Sequence, residues 1–168
     1  MNSMLSVRPA RIEDAPAMAA VHVRSWQETY RGLMSAKILD DPRLVSRRER
    51  FWNAVLSDDK RPENRIAVAE HDGEIVGIAF SGVPLDDDWP WAIQLYVLYL
   101  LSAFHGSGAS IELLEAVVPP TETAGLWVAD PNPRAQAFYR KQGFRSDSTS
   151  QVKDEVREIR MTRILVNK

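Results

Sequence analysis

The stretch LYLLSAFHGSGAS, residues Leu98 to Ser110, runs from an apolar segment through a short glycine turn into the continuous sequence IELLEAVV. The apolar part is typical of a buried strand, and the spacing after the turn predicts a helix. Such a turn suits an anion, because the first N–H groups of a helix lack internal acceptors and the helix dipole adds partial positive charge there. Gly106 and Gly108 would let the backbone approach a phosphate closely.

The loop on its own is compatible with other interpretations. HGSGAS lacks the third glycine of the G-x-G-x-x-G dinucleotide motif, and it has no G-K-[ST] for a nucleoside triphosphate. A plain flexible turn between a strand and a helix is one alternative, and a nucleotide-phosphate binder of another family is a second. The loop alone does not choose among them.

Composition limits the class of protein. The chain has 168 residues, 45% of them hydrophobic, which suffices for one sizeable core, and we expect a single domain over residues 1–168. Lys and Arg number 21 against 23 Asp and Glu, a net charge of -2, so nucleic acid is not expected as a partner. The absence of cysteine excludes disulfides and thiolate catalysis, and His22, His71 and His105 lack metal-ligand spacing, so no metal is expected.

No segment favours a membrane location. The longest apolar run, AIQLYVLYLLSAF, is interrupted by polar residues and is shorter than the roughly 20 residues of a spanning helix. The N-terminal sequence has no apolar signal core and becomes charged quickly. We therefore expect a cytoplasmic protein without a membrane partner.

The remaining pattern predicts a mixed α/β (α+β) domain. After a first strand at LSVRPA, a helix is predicted over 14–30, then one or two more helices, then a hairpin whose Asp72-Gly73 turn tolerates positive φ. A long strand over 91–101, the helix of ASIELLEAVV and the strand AGLWVAD follow. NPRAQAFYRKQ predicts a helix capped by Asn132, and the strand EIRMTRILV closes the sheet.

A second motif narrows the interpretation. NPRAQAFYRKQGF, Asn132 to Phe144, together with the glycine loop resembles the GNAT superfamily of N-acetyltransferases, where a strand, a [QR]-G-x-G-x-[GA] loop and a helix precede a further strand and N-x-x-A-x-x-x-Y-x-x-x-G-F. The resemblance covers about residues 64 to 145. It implies the GNAT fold, a mixed, mostly antiparallel twisted sheet of about seven strands flanked by helices. It also implies acetyl-coenzyme A in a V-shaped gap between the strands at Leu98 and Trp127.

The resemblance assigns roles residue by residue. Tyr139 would be catalytic, donating a proton to the leaving thiolate. Leu98, Tyr99 and Leu100 would pair with the pantetheine arm and, near Leu100, with the thioester carbonyl. Asn132 would contact the pantetheine arm or the cofactor's end. The pyrophosphate of coenzyme A would lie on the loop, whose cofactor-binding positions are His105, Gly106, Ser107, Gly108, Ala109 and Ser110.

Three positions depart from the family pattern. His105 replaces the usual Gln or Arg, Ser110 replaces a small Gly or Ala, and Trp127 stands where some members place a glutamate base. The general base is therefore unassigned. Trp26 and Tyr30, four residues apart on one helix face, are candidates for the acceptor site or for the core.

The sequence thus predicts an acyltransferase of the GNAT type, which moves the acetyl group of acetyl-coenzyme A directly to a primary amine of an unidentified small molecule or peptide. The alternative is a non-catalytic or weakly active acyl-coenzyme A binding or sensing module, motivated by the altered loop and the missing glutamate. The acidic run Asp86–Asp88 is either a solvated loop or an attractor for a cationic acceptor. Trp89 and Trp91, expected to be exposed, motivate a homodimer.

Overall fold

The computed structural model describes residues 4–165, which form seven strands and five α-helices. The strands are β1 Leu5–Pro9, β2 Arg65–His71, β3 Glu74–Gly82, β4 Ile93–Leu100, β5 Ala124–Ala129, β6 Arg145–Lys153 and β7 Val156–Arg163. The helices are α1 Ala15–Tyr30, α2 Ala36–Leu39, α3 Leu44–Leu56, α4 Ala109–Val117 and α5 Pro133–Lys141. The expected order of elements is confirmed; residues 1–3 and 166–168 of the expected domain lie outside the described residues.

Local sequence accounts for the turn of the hairpin and for the start of α5. Asp72 and Gly73 both have positive φ, 52° and 82°, as a tight two-residue turn requires. The Asn132 side chain accepts a hydrogen bond from the Ala135 N–H at 3.2 Å, with Pro133 as the first helical residue. Both predictions are confirmed.

The sheet has the strand order β1-β2-β3-β4-β5-β7-β6. β4 and β5 are parallel, and the other neighbouring strands are antiparallel, as expected. The parallel pairing covers only 93–95 against 124–126, after which β4 and β5 no longer bond. The expected V-shaped gap therefore opens at the centre of the sheet.

Both faces of the sheet are covered, and β3 shows how. Successive side chains of a strand point to opposite faces. Ser81 donates to the Val117 carbonyl of α4 at 2.6 Å, whereas the Phe80 ring meets Trp52 of α3 at 5.8 Å between centroids. Gly77 lies on the Ser81 side, where an added Cβ would stand 2.9 Å from Leu113. The sheet thus separates α4 from α1 and α3.

The expected exposure of two tryptophans is wrong for Trp89 and only partly right for Trp91. Trp89 is 7% exposed and packs so closely on Gly125 that an added Cβ would overlap the indole. Trp91 is half-buried against Trp89, and the Arg160 guanidinium lies over both rings. The loop before β4 folds back onto β5, a non-local contact that local polarity does not reveal. The homodimer stays a prediction without this support.

Among residues 4–165, none of the helices combines the length and the apolar character needed to cross a membrane.

Candidate active site

The gap between β4 and β5 joins two cavities. The first, the loop cavity, has a volume of about 830 Å³ and is bounded by 98–100 of β4, the glycine loop and α5. The second, the aromatic cavity, has a volume of about 610 Å³ and lies beneath α1 and α3. Six residues line both cavities and so mark the opening between them: Tyr30, Leu95, Tyr96, Val97, Tyr99 and Trp127.

A bulge in β4 bends the strand at the opening. Phe80 pairs with Val97 and Ser81 with Leu95, so Tyr96 is the extra residue on β4. A bulge leaves one residue unpaired and increases the local twist and bend of its strand. The bulge stands one residue beyond the last β5 pair at Leu95, where the two strands begin to diverge.

The backbone of β4 presents unpaired groups to the gap. Leu101 donates to the Val76 carbonyl of β3 at 2.9 Å. Because antiparallel hydrogen-bonded pairs alternate, Tyr99 also bonds toward β3, while Leu98 and Leu100 turn their N–H and C=O groups toward the gap. Tyr99 therefore contributes its side chain to the site. Leu98 contributes its backbone N–H and carbonyl, and Leu100 contributes its N–H, because the Leu100 carbonyl already accepts from His105 Nε2.

The glycine loop leaves a row of N–H donors free. Gly106 and Gly108 have φ values of 82° and 88°, and an added Cβ at either would meet nothing within 4 Å. Within residues 4–165 the N–H groups of Gly106, Gly108, Ser110 and Ile111 have no hydrogen-bond partner, and all four residues line the loop cavity. The structure thus adds Ile111 to the predicted set.

Two loop positions named from the sequence use their N–H groups internally. The Ser107 N–H donates to the Phe104 carbonyl at 3.2 Å, and the Ala109 N–H donates to the Ser107 hydroxyl at 3.3 Å. Their part is to shape the turn. Their role in binding cofactor stays a prediction.

His105 is turned toward the end of β4. Its Nε2 donates to the Leu100 carbonyl at 2.8 Å, which places the proton on Nε2 because a carbonyl only accepts. Its Nδ1 is buried and has no partner within the described residues. The histidine lines the loop cavity. It therefore fastens the glycine loop to the strand that borders the gap.

Glu28 provides a second anchor that the sequence pattern did not indicate. Its carboxylate accepts the Ser102 N–H at 2.9 Å, across 74 positions of the chain. Glu28 also lines the loop cavity. An N–H bond to a carboxylate is a charge-assisted one, so α1 holds the start of the loop firmly.

Tyr139 faces the loop cavity from α5. Its side chain is 8% exposed, and its hydroxyl makes no hydrogen bond within residues 4–165. Burial, followed by the nearby Tyr99, raises the pKa of Tyr139 well above its ordinary value. The phenol therefore stays protonated at neutral pH. Phe138, the competing core residue, is half-buried beside it, and both line the cavity.

Asn132 lies at the opposite end of α5 and also lines the loop cavity. Its side-chain oxygen caps the helix, as described above. The side-chain amide nitrogen makes no hydrogen bond within the described part of the chain. The cap is confirmed, and contact with the cofactor stays a prediction.

Three aromatic side chains form a hydrogen-bonded cluster at the opening. The Trp26 indole donates to the Tyr99 hydroxyl at 3.0 Å, and the hydroxyls of Tyr30 and Tyr99 are hydrogen-bonded at 3.3 Å. Burial raises the pKa of both tyrosines, so both are neutral. Trp26 and Tyr30 were expected to lie either in the core or at the acceptor site. Both are half-buried and both line the aromatic cavity.

His22 forms a buried, neutral part of the aromatic cavity. The Trp52 indole donates to its Nδ1 at 3.2 Å, so the proton lies on Nε2. Burial, with a smaller effect of Arg48, lowers the pKa of His22 to about 3. No group of three or more His, Cys, Asp or Glu that could hold a metal occurs in the described residues.

Two charged residues of the aromatic cavity were missed by sequence reasoning. Glu158 of β7 is half-buried, accepts from the Gln151 side chain at 3.0 Å, and helps to raise the pKa of Tyr30. Arg48 of α3 is half-buried with its guanidinium 4.4 Å from the centre of the Trp26 ring. Neither belongs to a local motif, since each depends on contacts with distant elements.

The acidic run Asp86–Asp88 does not line either cavity. Asp86 accepts from the Trp127 indole at 3.4 Å, and Asp88 pairs with Arg160 at 3.7 Å. These two carboxylates therefore hold the loop against β5 and β7. An electrostatic effect on the acceptor stays a prediction.

Comparison with known proteins agrees with this geometry. Residues 45–165 match the family model described as the acetyltransferase (GNAT) domain. The chain belongs to the GNAT acetyltransferase family. An uncharacterized N-acetyltransferase of Mycobacterium tuberculosis is 39% identical over 139 residues, which are 80% of this chain and 74% of that protein. A probable N-acetyltransferase of the same species is 29% identical over 150 residues, 86% of this chain and 82% of that protein.

Solved structures show the GNAT fold. The PaiA N-acetyltransferase of Thermoplasma acidophilum, crystallised with coenzyme A, has a TM-score of 0.74 at 19% identity, over 95% of this chain and 98% of that one. A Corynebacterium glutamicum protein described as histone acetyltransferase HPA2 and related acetyltransferase has a TM-score of 0.70 at 20% identity, over 100% of this chain and 99% of that one. The protein is therefore a GNAT-type acyltransferase, as the sequence predicted.

Proposed function

We propose that this GNAT protein transfers the acetyl group of acetyl-coenzyme A directly to a primary amine. One observation carries the proposal: the gap-facing backbone of β4, the free N–H groups of the glycine loop and the Tyr139 side chain all line the same cavity. That cavity opens through the gap into a second one with room for an acceptor.

The loop cavity suits the donor. The free N–H groups at the start of α4 would bind the pyrophosphate, since they add hydrogen bonds to the positive end of the helix dipole. The Leu98 backbone groups and the Leu100 N–H would form hydrogen bonds with the amide-containing pantetheine arm, as a further strand of the sheet would. The coenzyme A in the PaiA structure supports this use of the same fold.

The aromatic cavity supplies a base for the amine. An ammonium group must lose a proton before it attacks. Of the carboxylates that line this cavity, Asp154 and Asp58 are exposed, and Asp58 pairs with Arg61 at 3.5 Å. Glu158 is half-buried and close enough to Tyr30 and Tyr99 to affect their pKa. Glu158 therefore accepts the amine proton, directly or through water, in place of the glutamate that Trp127 replaces.

Two further steps, stabilisation of the oxyanion and protonation of the leaving thiolate, involve β4 and α5. A backbone N–H of Leu98 or Leu100 would stabilise the negative charge that develops on the carbonyl oxygen during attack. Tyr139, kept protonated by burial, would give its proton to the leaving thiolate. No covalent intermediate with the protein is required.

Two measurements test the proposal. Isothermal titration should show saturable binding of acetyl-coenzyme A and coenzyme A, with no comparable binding of ATP or NAD. Thiol release should then follow the addition of amines from a panel. Comparable binding of ATP or NAD would contradict the donor assignment, and donor binding without turnover of any amine would favour the sensing module.

A further inference from the structure

Arg48 projects from α3 into the aromatic cavity without an anionic partner. Within residues 4–165 it makes no hydrogen bond and no ion pair, although it is half-buried. Its guanidinium is held over the Trp26 ring, whose indole is itself fixed by the Tyr99 hydroxyl. A cation is thus positioned firmly at the cavity wall.

Nearby arginines behave differently. Arg43 and Arg47 of the same region are exposed to solvent and pair with Asp41 at 3.2 and 3.4 Å. Arg61, which also lines the cavity, pairs with Asp58 at 3.5 Å. Unpaired charge facing the cavity is therefore a property of Arg48 and not of α3 in general.

The groups around Arg48 do not neutralise it. His22 and Tyr99, which pack near it, are both uncharged at neutral pH, and the neighbouring Arg47 is a like charge. Asp154 acts on Arg48 from beyond ion-pair distance. Burial lowers the pKa of Arg48, but a guanidinium remains charged in proteins. A partly desolvated cation without a counterion favours an anionic ligand.

We propose that the acceptor is an amine that also carries a carboxylate, which Arg48 binds while the amine faces Glu158 and the gap. This inference rests on the proposed function and specifies its substrate class. Arg48 and Glu158 supply opposite charges within one cavity, which is also lined by the hydrogen-bonded aromatic side chains of Trp26, Tyr30 and Tyr99. An amino acid or short peptide with an apolar body fits that arrangement.

The chemistry of arginine favours a carboxylate over a simple apolar group. The planar guanidinium offers paired N–H donors that match the two oxygens of a carboxylate. Stacking on Trp26 occupies one face of the guanidinium and leaves its edge N–H groups available. Arg48 is thus a specificity-determining residue, while Tyr139 and Glu158 act on the reacting atoms.

The test compares three amines with the same apolar body: phenylalanine, phenylalanine amide and 2-phenylethylamine. The native enzyme should show a kcat/KM for phenylalanine, expressed per unprotonated amine, at least about 10-fold above that of either partner, the scale expected of a charge-assisted contact. Arg48→Met should abolish this preference with little change for the two compounds that lack a carboxylate. Arg48→Lys should restore part of it, and the exposed Arg50→Met is the matched control that should retain the native preference.

A binding measurement makes the result independent of turnover. The coenzyme A-loaded protein is titrated with 3-phenylpropanoate, which has the carboxylate but no amine, with tryptophan fluorescence as the readout. Saturable binding that Arg48→Met weakens about 10-fold or more supports the inference. No binding, or equal binding by the native and Arg48→Met proteins, overturns it.

The two proposals fail in different ways. If the enzyme acetylates phenylalanine amide and 2-phenylethylamine as well as phenylalanine, amine acetylation stands and the role of Arg48 is refuted. If no coenzyme A binds and no amine is acetylated, the proposed function itself is wrong, and the carboxylate inference falls with it.

Discussion

Replacement of Tyr139 by phenylalanine is the most direct test of the chemical step. The substitution removes one hydroxyl that faces the loop cavity and has no hydrogen-bond partner in the described residues. No partner is therefore left unsatisfied, and the ring keeps its contacts with Phe138 and Phe144. We expect the free energy of unfolding to change by less than about 1 kcal/mol.

The catalytic effect should be much larger than the effect on stability. A positioned general acid contributes about 10² to 10⁴ in rate, so kcat should fall by about 100- to 1,000-fold, or roughly 3 to 4 kcal/mol in the barrier. The dissociation constant of acetyl-coenzyme A should stay within about twofold, because the hydroxyl acts only on the developing thiolate. Thiol release measures kcat, and isothermal titration measures the affinity.

The pH dependence follows from the same residue. Burial raises the pKa of Tyr139, so the acid stays protonated below its ordinary value near 10 and its ionisation does not limit the native rate at pH 7 to 9. Tyr96→Phe is the matched control, since the Tyr96 hydroxyl donates to the Val83 carbonyl and not into the reaction. A Tyr139→Phe enzyme with kcat within about threefold of native would show that Tyr139 only packs.

Three other changes test the loop, the base and the core. Gly108→Ala should weaken coenzyme A binding about 10-fold or more, because a side chain at φ 88° strains the loop. Gly32→Ala introduces similar strain at φ 91° in a residue that lines neither cavity, so it should only lower the free energy of unfolding, by about 1 to 2 kcal/mol in urea. Equal coenzyme A affinity in the two variants would contradict the loop assignment. Glu158→Gln should lower kcat/KM at pH 7 and recover as rising pH deprotonates the amine, and an unchanged pH profile would exclude Glu158 as base. The pKa of His22 is about 3 in the folded state and about 6.5 in the unfolded state, so the unfolded state binds more protons between these pH values. The free energy of unfolding should therefore fall as the pH drops from 6.5 to 3, by at most about 1.4 kcal/mol per pH unit. His22→Gln should reduce that slope in urea unfolding measured at pH 4 to 7.

Local sequence patterns were sufficient to predict the secondary-structure elements and the position of the glycine loop. The Asp72-Gly73 turn and the Asn132 cap depend on residues within a few positions of each other. The glycine loop likewise lies between a strand and a helix that are contiguous in the chain. Its motif and that of α5 could therefore be recognised together from the sequence. The family, the fold and the position of Tyr139 followed from these segments.

Tertiary structure decided what lies between the segments. The sequence does not show where the pairing of β4 with β5 stops. Only the observed register shows that Leu98 and Leu100, but not Tyr99, direct their backbone N–H groups toward the gap. Trp89 reads as an exposed loop residue because its loop is polar, yet that loop packs onto Gly125 of a strand far along the chain.

On the acceptor side of the site, the difference between what the sequence predicts and what the structure shows is greatest. Arg48 sits on a helix with several other arginines, and Glu158 sits on a strand of alternating charge. Nothing in those local patterns separates an inward-facing charge from a solvated one. The elements, the glycine loop and the position of Tyr139 could be predicted from the sequence, because short-range backbone preferences and contiguous motifs specify them. Only the tertiary structure showed where the pairing of β4 with β5 stops and that Arg48 and Glu158 line the same cavity, because packing between distant elements sets which side chains lose contact with water.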